Sequence, residues 1–219
     1  MSYKLEFVST ECLRPEVCIK AWTSLRENLT GVDWKKSMLY LNIDPLPKGK
    51  GLEEAKQIMQ KARNVFYKVD VRRAKIPNFT RAVKWGWSQP KGPFFFYFQA
   101  DWIFKQKVDI EFLMMSMLNR KLDSLHLRAY KGNYDRLCLS PGLIKSNTAR
   151  ELAREMVETV GPEAQLRPPE KREGGRGLGV NLNSYCWPRN QVVVEDIGRE
   201  WAEKHNIQKK GGSSFVEWE

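Results

Sequence analysis

Short apolar runs, each of a length suited to one strand, recur along the first hundred residues of the chain. Three of them are Leu5–Val8, Met38–Ile43 and Val65–Val69. A fourth, Phe94–Phe98, consists of five consecutive aromatic residues and follows a Gly-Pro pair. Because this fourth run shows no alternation of apolar and polar residues, it predicts a central strand that is buried on both faces.

Helical spacing of apolar residues fills the intervals between these runs. Cys18, Trp22 and Leu25 fall on one helical face, and Pro15 precedes them at a first-turn position where its missing N–H costs nothing. Strand, helix, strand, helix, strand, helix, strand is the order typical of a parallel sheet with crossover helices. The pattern therefore predicts an α/β fold with a mostly parallel sheet and helices on both faces.

The second half of the chain gives weaker patterns. Val108, Phe112, Met115 and Leu118 predict a helix that packs on the core, and 124–130 alternates like a strand in which His126 is structural. Residues 148–160 predict another helix. The segment 167–179 is rich in glycine, proline and charge, which predicts either a mobile loop that closes over a site or a surface insertion.

One carboxylate stands directly after the aromatic strand. Asp101 follows Gln99 and Ala100, and ligands of open α/β sheets bind just beyond the carboxyl ends of the strands. An aspartate at this point is placed to hold a divalent cation that bridges phosphates. The alternative is that Asp101 only caps the helix that is predicted to begin near Lys107.

Four features in chain order resemble the nucleotide-sugar half of GT-A glycosyltransferases, especially the family-2-like group. They are Thr10, Arg14 and Pro15 after the first strand, Asp44 after the second, Asn78 with Ala82 before the aromatic strand, and Gln99-Ala100-Asp101 after it. The last feature matches the metal-binding Asp-x-Asp of the family, with glutamine in place of its first aspartate. The resemblance covers roughly residues 3–145.

The resemblance implies a single GT-A-like domain over 1–219, with a nucleotide-sugar-binding half (1–105) and an acceptor half (106–219) that ends in a C-terminal tail. It also implies a nucleoside-diphosphate sugar donor, a UDP-sugar above all, with Mn²⁺ or Mg²⁺ held by Asp101. The residues expected to bind the donor are Thr10, Arg14, Asp44, Asn78, Arg81, Lys84, Gln99 and Lys209. The activity implied is transfer of a sugar to a hydroxyl group.

Two acids near the C-terminus are candidates for catalysis. The run 191–194 predicts a strand, and Glu195 and Asp196 then open a predicted helix on which Ile197, Trp201 and His205 share a face. Acids in a first helical turn ordinarily complement the helix dipole. In the resembled family, a late acid or histidine completes the metal shell, so Asp196 and His205 are candidates for a further metal ligand. An inverting enzyme also needs a carboxylate base, for which Asp196 and Glu195 are the candidates. The stretch Asp-Ile-Gly-Arg is also similar to small phage-encoded glycosyltransferase-like proteins.

The charge of the chain suggests a polyanionic partner. The formal net charge is +11, and the excess is concentrated in 68–91 and 120–150. Cations mixed with flat aromatic side chains are typical of nucleic-acid binders. The candidate contacts are Arg72, Arg73, Trp85, Trp87, Arg128 and Lys131. The leading prediction for the acceptor is DNA with a 5-hydroxymethyl-pyrimidine. A protein or glycan acceptor, a degenerate transferase that only binds nucleic acid, and a merely solvated basic surface remain alternatives.

Two further classes are disfavoured by the sequence. No stretch approaches the roughly 20 apolar residues of a membrane span, and the N-terminus has no apolar signal segment, so membrane insertion is not expected. The four cysteines show neither a CxxC pair nor zinc spacing, which favours free thiols in a reducing compartment. We therefore expect a cytoplasmic protein, in the host cytoplasm if the source is viral.

Overall fold

The computed structural model describes residues 2–47, 49–127, 137–171, 173–188 and 191–205, together with the backbone of 209–210 and 217–218. The first half alternates strands and helices as the sequence predicts. Its elements are β1 (Glu6–Cys12), α1 (Pro15–Asn28), β2 (Leu29–Thr30), β3 (Met38–Asp44), α2 (Leu52–Val65), β4 (Lys68–Arg73), α3 (Phe79–Ser88) and β5 (Phe94–Gln99).

The second half adds shorter elements to the same fold. They are β6 (Trp102–Phe104), β7 (Val108–Asp109), α4 (Ile110–Asn119), β8 (Ser124–His126), β9 (Gly142–Lys145), α5 (Ser146–Glu155), α6 (Pro162–Gln165), β10 (Ser184–Cys186), β11 (Val194–Asp196) and α7 (Gly198–Lys204). The backbone of β12 (Lys209–Lys210) pairs with that of β13 (Glu217–Trp218).

Seven strands form the central sheet in the order β10-β8-β9-β5-β1-β3-β4. All neighbours pair in parallel except β9, which runs antiparallel to both β5 and β8. The aromatic strand β5 lies near the middle, and its residues Phe95–Phe98 are at most 1% exposed. The predicted α/β class and the mostly parallel sheet are confirmed.

Apolar clusters cover both faces of this sheet. On one face, Phe7 and Phe96 pack in the same cluster as residues of α1, α2 and α4. On the other face, Val8 and Tyr97 pack with residues of α3 and α5. The alternation along β1 and β5 thus directs successive side chains to opposite helical layers.

Several element boundaries differ from those predicted. The strand predicted at 65–69 is β4 at Lys68–Arg73, because Val65 packs in the core as the last residue of α2. Helix α5 ends at Glu155, five residues earlier than predicted. In α4 the core face consists of Ile110, Leu113 and Met117, whereas the predicted core residues Phe112, Met115 and Leu118 are exposed.

The C-terminal part of the glycine-rich segment 167–179 is hydrogen bonded back to the residues at which the segment begins. The N–H groups of Gly177 and Leu178 donate to the carbonyls of Arg167 and Gln165, at 2.7 and 3.0 Å. Its closure over a site stays a prediction. In the part of the chain that the structure describes, no helix has the length and apolar character needed to cross a membrane.

Candidate active site at the strand ends

Strands β1, β3 and β5 end side by side at one edge of the sheet. Cys12 is paired with Asp44, and Thr10 is paired with both Asn42 and Gln99. Three residues predicted to bind the donor are therefore brought to the same edge by parallel pairing alone. We call this place the strand-end site and define it by Thr10, Arg14, Asp44, Gln99 and Asp101.

Asp101 lies in the turn after β5, and its side chain is 21% exposed. One carboxylate oxygen, Oδ2, is 3.4 Å from Nη2 of Arg14. The other, Oδ1, is buried and has no hydrogen-bond partner among the described residues. Burial raises the pKa of Asp101, with nearby Asp196 adding to the rise and Arg14 opposing it. A buried carboxylate oxygen without a partner is what a cation or a ligand donor would satisfy.

Arg14 is the buried cation of the strand-end site. It precedes Pro15 at the start of α1, is 5% exposed, and its guanidinium stacks 5.3 Å from the centre of the Trp201 ring. Trp201 in turn donates from Nε1 to a carboxylate oxygen of Glu16. Helices α1 and α7 are thereby joined beside Asp101.

The carboxylate of Asp196 reaches the strand-end site through a second, small sheet. Strand β11 pairs antiparallel with β6, and Asp196 lies opposite Trp102, the residue after Asp101. The N–H of Ile197 donates to the carbonyl of Asp101 at 2.7 Å, and Asp196 Oδ1 accepts from Gly198 N–H at 2.9 Å. A β-carbon at position 198 would lie 2.7 Å from Oδ2 of Asp101, so glycine is needed there for this close approach.

Asp44 and Asn78 form the other end of the strand-end site. Asp44 is 6% exposed and accepts from Asn42 Nδ2 at 2.9 Å. Burial raises the pKa of Asp44, while hydrogen bonds from Asn42 and from the backbone of Asn78 oppose the rise. The side chain of Asn78 caps α3 by accepting from Arg81 N–H at 2.8 Å and donates to the carbonyl of Glu158 at 3.1 Å.

Arg81 and Lys84, which are predicted to bind the donor, form hydrogen bonds to residues 156–158, just after α5. Arg81 forms two hydrogen bonds to Glu158, at 2.9 and 2.7 Å, and Lys84 donates to the carbonyl of Met156. Arg72 donates to Asn42 Oδ1 at 3.3 Å and to the carbonyl of Arg81 at 3.0 Å. These contacts place Arg72 and Arg81 near Asp44. The donor-binding role of Arg81 and Lys84 and the nucleic-acid role of Arg72 stay predictions.

Gln99 and Thr10 meet through a buried tyrosine. The hydroxyl of Tyr97 lies 3.2 Å from Thr10 Oγ1 and 3.2 Å from Gln99 Nε2. One N–H of the Gln99 amide is thus used within the protein, and the role of Gln99 toward a donor stays a prediction.

Glu195 and His205 lie elsewhere. Alternation along β11 turns Glu195 away from Asp196, and Glu195 pairs with Lys105 at 2.9 Å. His205 ends α7, where its Nδ1 is 2.8 Å from the carbonyl of Trp201 and its ring stacks on the indole. Both residues line a groove of about 1000 Å³ between α1 and α7, which neither Asp101 nor Asp196 lines. Among the described residues, no contact joins His205 to Asp101, and the role of His205 as a metal ligand stays a prediction.

The structure also tests whether Asp101, Glu195 and Asp196 serve only at the starts of helices. Helix α4 begins at Ile110, and Asp109, not Asp101, caps it by accepting from Glu111 N–H. The prediction that Glu195 and Asp196 open a helix is wrong, because both belong to β11 and α7 begins at Gly198. Asp196 still accepts from the first N–H of α7, so a capping contact and a functional role are compatible there.

The proposed nucleic-acid contacts need one correction. Trp87 is 0% exposed and packs edge-on against Tyr97, so this indole is part of the core and cannot stack on a base. Trp85 is half-buried with Arg72 6.0 Å from its ring, and Arg73 is exposed. Arg128, Lys131 and the side chain of Lys209 lie outside the described residues.

A buried acid beneath the strand-end site was not predicted from the sequence. Glu11 is 3% exposed and is hydrogen bonded to Ala100, Ser9 and Cys18. The available signal was Glu11 itself, a charged residue next to the last position of the buried strand β1. An acid at such a position is uncommon in a core unless it is protonated or paired.

The sheet order, the layers and the strand-end site define a GT-A-like fold. Among solved structures, the chain is similar to TarS of S. aureus, with a TM-score of 0.61 and 12% identity over 92% of this chain and 38% of TarS. It is also similar to the mannosyltransferase PcManGT of Pyrobaculum calidifontis, solved with GDP-Man and Mn²⁺, with a TM-score of 0.62 and 8% identity over 94% of this chain and 61% of PcManGT. The chain thus spans less than two thirds of either protein.

Residues 1–349 of TarS, solved with UDP, match with a TM-score of 0.50 over 68% of this chain and 48% of that chain, at 12% identity. These similarities confirm the predicted GT-A-like fold. No model of a protein family and no curated protein matches the sequence.

Proposed function

We propose that this chain is a glycosyltransferase that moves a sugar from a nucleoside diphosphate to a hydroxyl group. The observation that carries the proposal is Asp101, which lies at the strand ends of a GT-A-like fold and has one buried carboxylate oxygen with no hydrogen-bond partner among the described residues. The neighbours of known structure add support, because PcManGT was solved with GDP-Man and Mn²⁺ and TarS with UDP.

The residues at the two ends of the strand-end site suit the two ends of such a donor. Asp44 is buried beside Asn42 and the N-terminus of α3, and a carboxylate there accepts from the N–H groups of a base. At the other end Arg14 supplies a buried positive charge beside Asp101. Charge built on the diphosphate as the bond to the sugar breaks would be stabilised by this guanidinium.

A divalent ion fits the donor set, although no group of three or more His, Cys, Asp or Glu side chains that could hold a metal forms among the described residues. Mg²⁺ commonly binds through one or two carboxylates and completes its shell with substrate phosphates and water. Asp101 would hold the ion, with Asp196 nearby. When bound, the ion neutralises the diphosphate leaving group.

Asp196 is the proposed general base. It is exposed, it lies next to the Asp101 turn through the β6–β11 pairing, and a carboxylate at this place can accept the proton of an acceptor hydroxyl. Glu195, the second candidate base, is turned toward Lys105 and the other groove. The proposal therefore assigns the base to Asp196.

The test of the proposal is donor hydrolysis with a panel of UDP- and GDP-sugars in the presence of Mn²⁺. We expect one nucleotide to be released well above the uncatalysed rate, and we expect an excess of EDTA to remove that activity. Activity that survives EDTA contradicts the metal model. Inertness toward every donor, with nucleic-acid binding intact, favours a degenerate transferase scaffold that only binds nucleic acid.

For the acceptor we propose DNA that carries a 5-hydroxymethyl-pyrimidine. The support is the net charge of +11 and its clustering, with Arg73, Lys75 and Lys91 exposed in the first cluster. Two observations reduce the surface available for this role, since Trp87 is core and Arg81 is paired with Glu158. A target base in a duplex would have to be flipped out to reach the site.

Incubation with hydroxymethylcytosine DNA and mixed UDP-sugars, followed by digestion to nucleosides and mass spectrometry, tests this acceptor. We expect a hexose-sized mass increment, and we expect DNA binding to weaken with a log–log salt slope of about −0.9 per phosphate contact. Unmodified DNA together with a modified glycan or protein would assign the acceptor to the other class.

A further inference from the structure

Glu11 is the most deeply buried acid of the described chain near the strand-end site, and nothing in the proposed reaction uses it. It lies on β1 at 3% exposure, on the sheet face covered by α1. Burying an isolated ionised carboxylate costs much free energy, so a buried acid is either protonated or paired with a cation and hydrogen-bond donors.

The contacts of Ser9 determine which protonation state fits. The hydroxyl of Ser9 contacts Oε1 of Glu11 and lies 3.1 Å from the carbonyl oxygen of Phe98. A serine hydroxyl has only one proton to donate. Because the carbonyl of Phe98 can only accept, an ionised Glu11 would have to share the single Ser9 proton with it, whereas a protonated Glu11 that donates to Ser9 gives each contact a proton of its own.

The other oxygen of Glu11 then acts as a pure acceptor. Oε2 receives the N–H of Ala100 at 3.1 Å and the thiol of Cys18 at 3.5 Å. Ala100 is the middle residue of Gln99-Ala100-Asp101, so the carboxyl group joins β1 to the turn that carries Asp101. Every polar atom of a protonated Glu11 has a partner in this arrangement.

We propose that protonated Glu11 is a positioning residue that fastens the Gln99–Asp101 turn to β1 and leaves Arg14 as the charge facing Asp101. This inference rests on the proposed function, because its purpose is to orient the carboxylate that holds the donor's metal ion. Glu11 acts through the backbone of Ala100 and is not placed in contact with the substrate.

Electrostatics agree with this assignment. Burial raises the pKa of Glu11 to about 8 and the charge of Asp101 adds to the rise, whereas the hydrogen bonds that Ser9 and Cys18 would donate to the ionised form and the charge of Arg14 only partly oppose it. Cys12, the next residue on β1, is a further titratable neighbour of Glu11. A second negative charge beside Asp101 would otherwise compete with it for Arg14.

The experiment compares Glu11→Gln with Glu11→Ala. Glutamine keeps one donor for Ser9 and one acceptor for Ala100 at the same size, so it reproduces the protonated acid. We expect Mn²⁺-dependent binding of UDP or GDP, measured by calorimetry and by the Mn²⁺ EPR signal, to stay within about threefold in Glu11→Gln. In Glu11→Ala, which leaves the Ala100 N–H unpaired, we expect affinity to fall about tenfold or more.

Leu152→Ala is the matched control, since Leu152 is buried in α5 on the opposite face of the sheet. It should lower the melting temperature by as much as Glu11→Ala does and leave Mn²⁺-dependent nucleotide binding unchanged. If Glu11→Ala does not fold, Ser9→Ala is used in its place, with an expected weakening of at least threefold.

The outcomes are distinguishable. Loss of binding in Glu11→Gln to the level of Glu11→Ala would mean that a charged Glu11 is required, and that overturns the proposal. Unchanged binding in Glu11→Ala, or in Ser9→Ala where that variant replaces it, overturns it as well. Failure of the wild-type protein to bind any nucleotide with Mn²⁺ would instead refute the proposed function.

Discussion

Asp101→Asn is expected to lower metal-dependent donor turnover by about 10²–10³-fold, the largest loss of any substitution considered. The amide keeps the size of the side chain but removes the negative charge that holds the divalent ion, and the ion's charge stabilises the leaving diphosphate. Initial rates of nucleotide release, measured across a Mn²⁺ titration, give the effect. The residual activity should also show a weaker dependence on Mn²⁺.

Asparagine is preferred to alanine for a structural reason. From the sequence alone, Asp101→Ala would be expected to leave stability nearly unchanged. In the structure, Arg14 is 5% exposed and pairs with Asp101, and removing one partner of a buried ion pair costs about 3–5 kcal/mol. Asparagine removes the same charge but keeps an oxygen to which Arg14 can donate, so it costs less stability than alanine, and a thermal melt of each variant separates lost folding from lost chemistry. Full turnover in Asp101→Asn, with normal Mn²⁺ dependence, would refute the metal assignment.

Asp196→Asn is expected to lower turnover by about 10²-fold or more and to leave nucleotide binding nearly unchanged. A general base acts on the acceptor in the transition state, so its loss reduces kcat and kcat/KM together and leaves the donor's own affinity intact. Transfer to the acceptor and calorimetric binding of the nucleotide are measured on the same preparation.

The neighbouring Glu195→Gln is the matched control for this prediction. Glu195 is one residue away in β11 but pairs with Lys105 and lines the groove between α1 and α7. Its substitution should change turnover less than about threefold, and His205→Ala should behave similarly. A large loss of turnover in Glu195→Gln together with normal turnover in Asp196→Asn would contradict the prediction and assign the general base to Glu195.

The local pattern of the chain is sufficient to predict the order of the elements and the edge at which the site lies. Apolar runs of strand length and helical repeats alternate through the first hundred residues, and parallel strands connected by helices all end at the same edge. Thr10, Asp44 and Gln99 could be assigned to that edge because each stands at or near the end of a strand.

Local pattern does not predict which distant segments pair or which way their side chains face. The antiparallel pairing of β6 with β11 joins residues about ninety positions apart, and it decides that Asp196 approaches Asp101 while Glu195 faces a different groove. In the same way, Trp87 has the sequence surroundings of a nucleic-acid contact, yet packing between α3 and β5 buries it completely.

Glu11 combines both kinds of information. In the sequence, Glu11 stands three residues after the predicted strand Leu5–Val8, and only the extension of β1 to Cys12 buries it, which then requires a proton or a partner. Only the tertiary structure brings the N–H of Ala100 from a turn and the thiol of Cys18 from a helix to that acid, and the carbonyl of Phe98 from a neighbouring strand to Ser9 beside it. The sequence by itself predicts the helices and strands, because these depend on the local spacing of apolar residues. The hydrogen bonds and charge pairs of the site depend on contacts between segments far apart in sequence, so only the tertiary structure determines them.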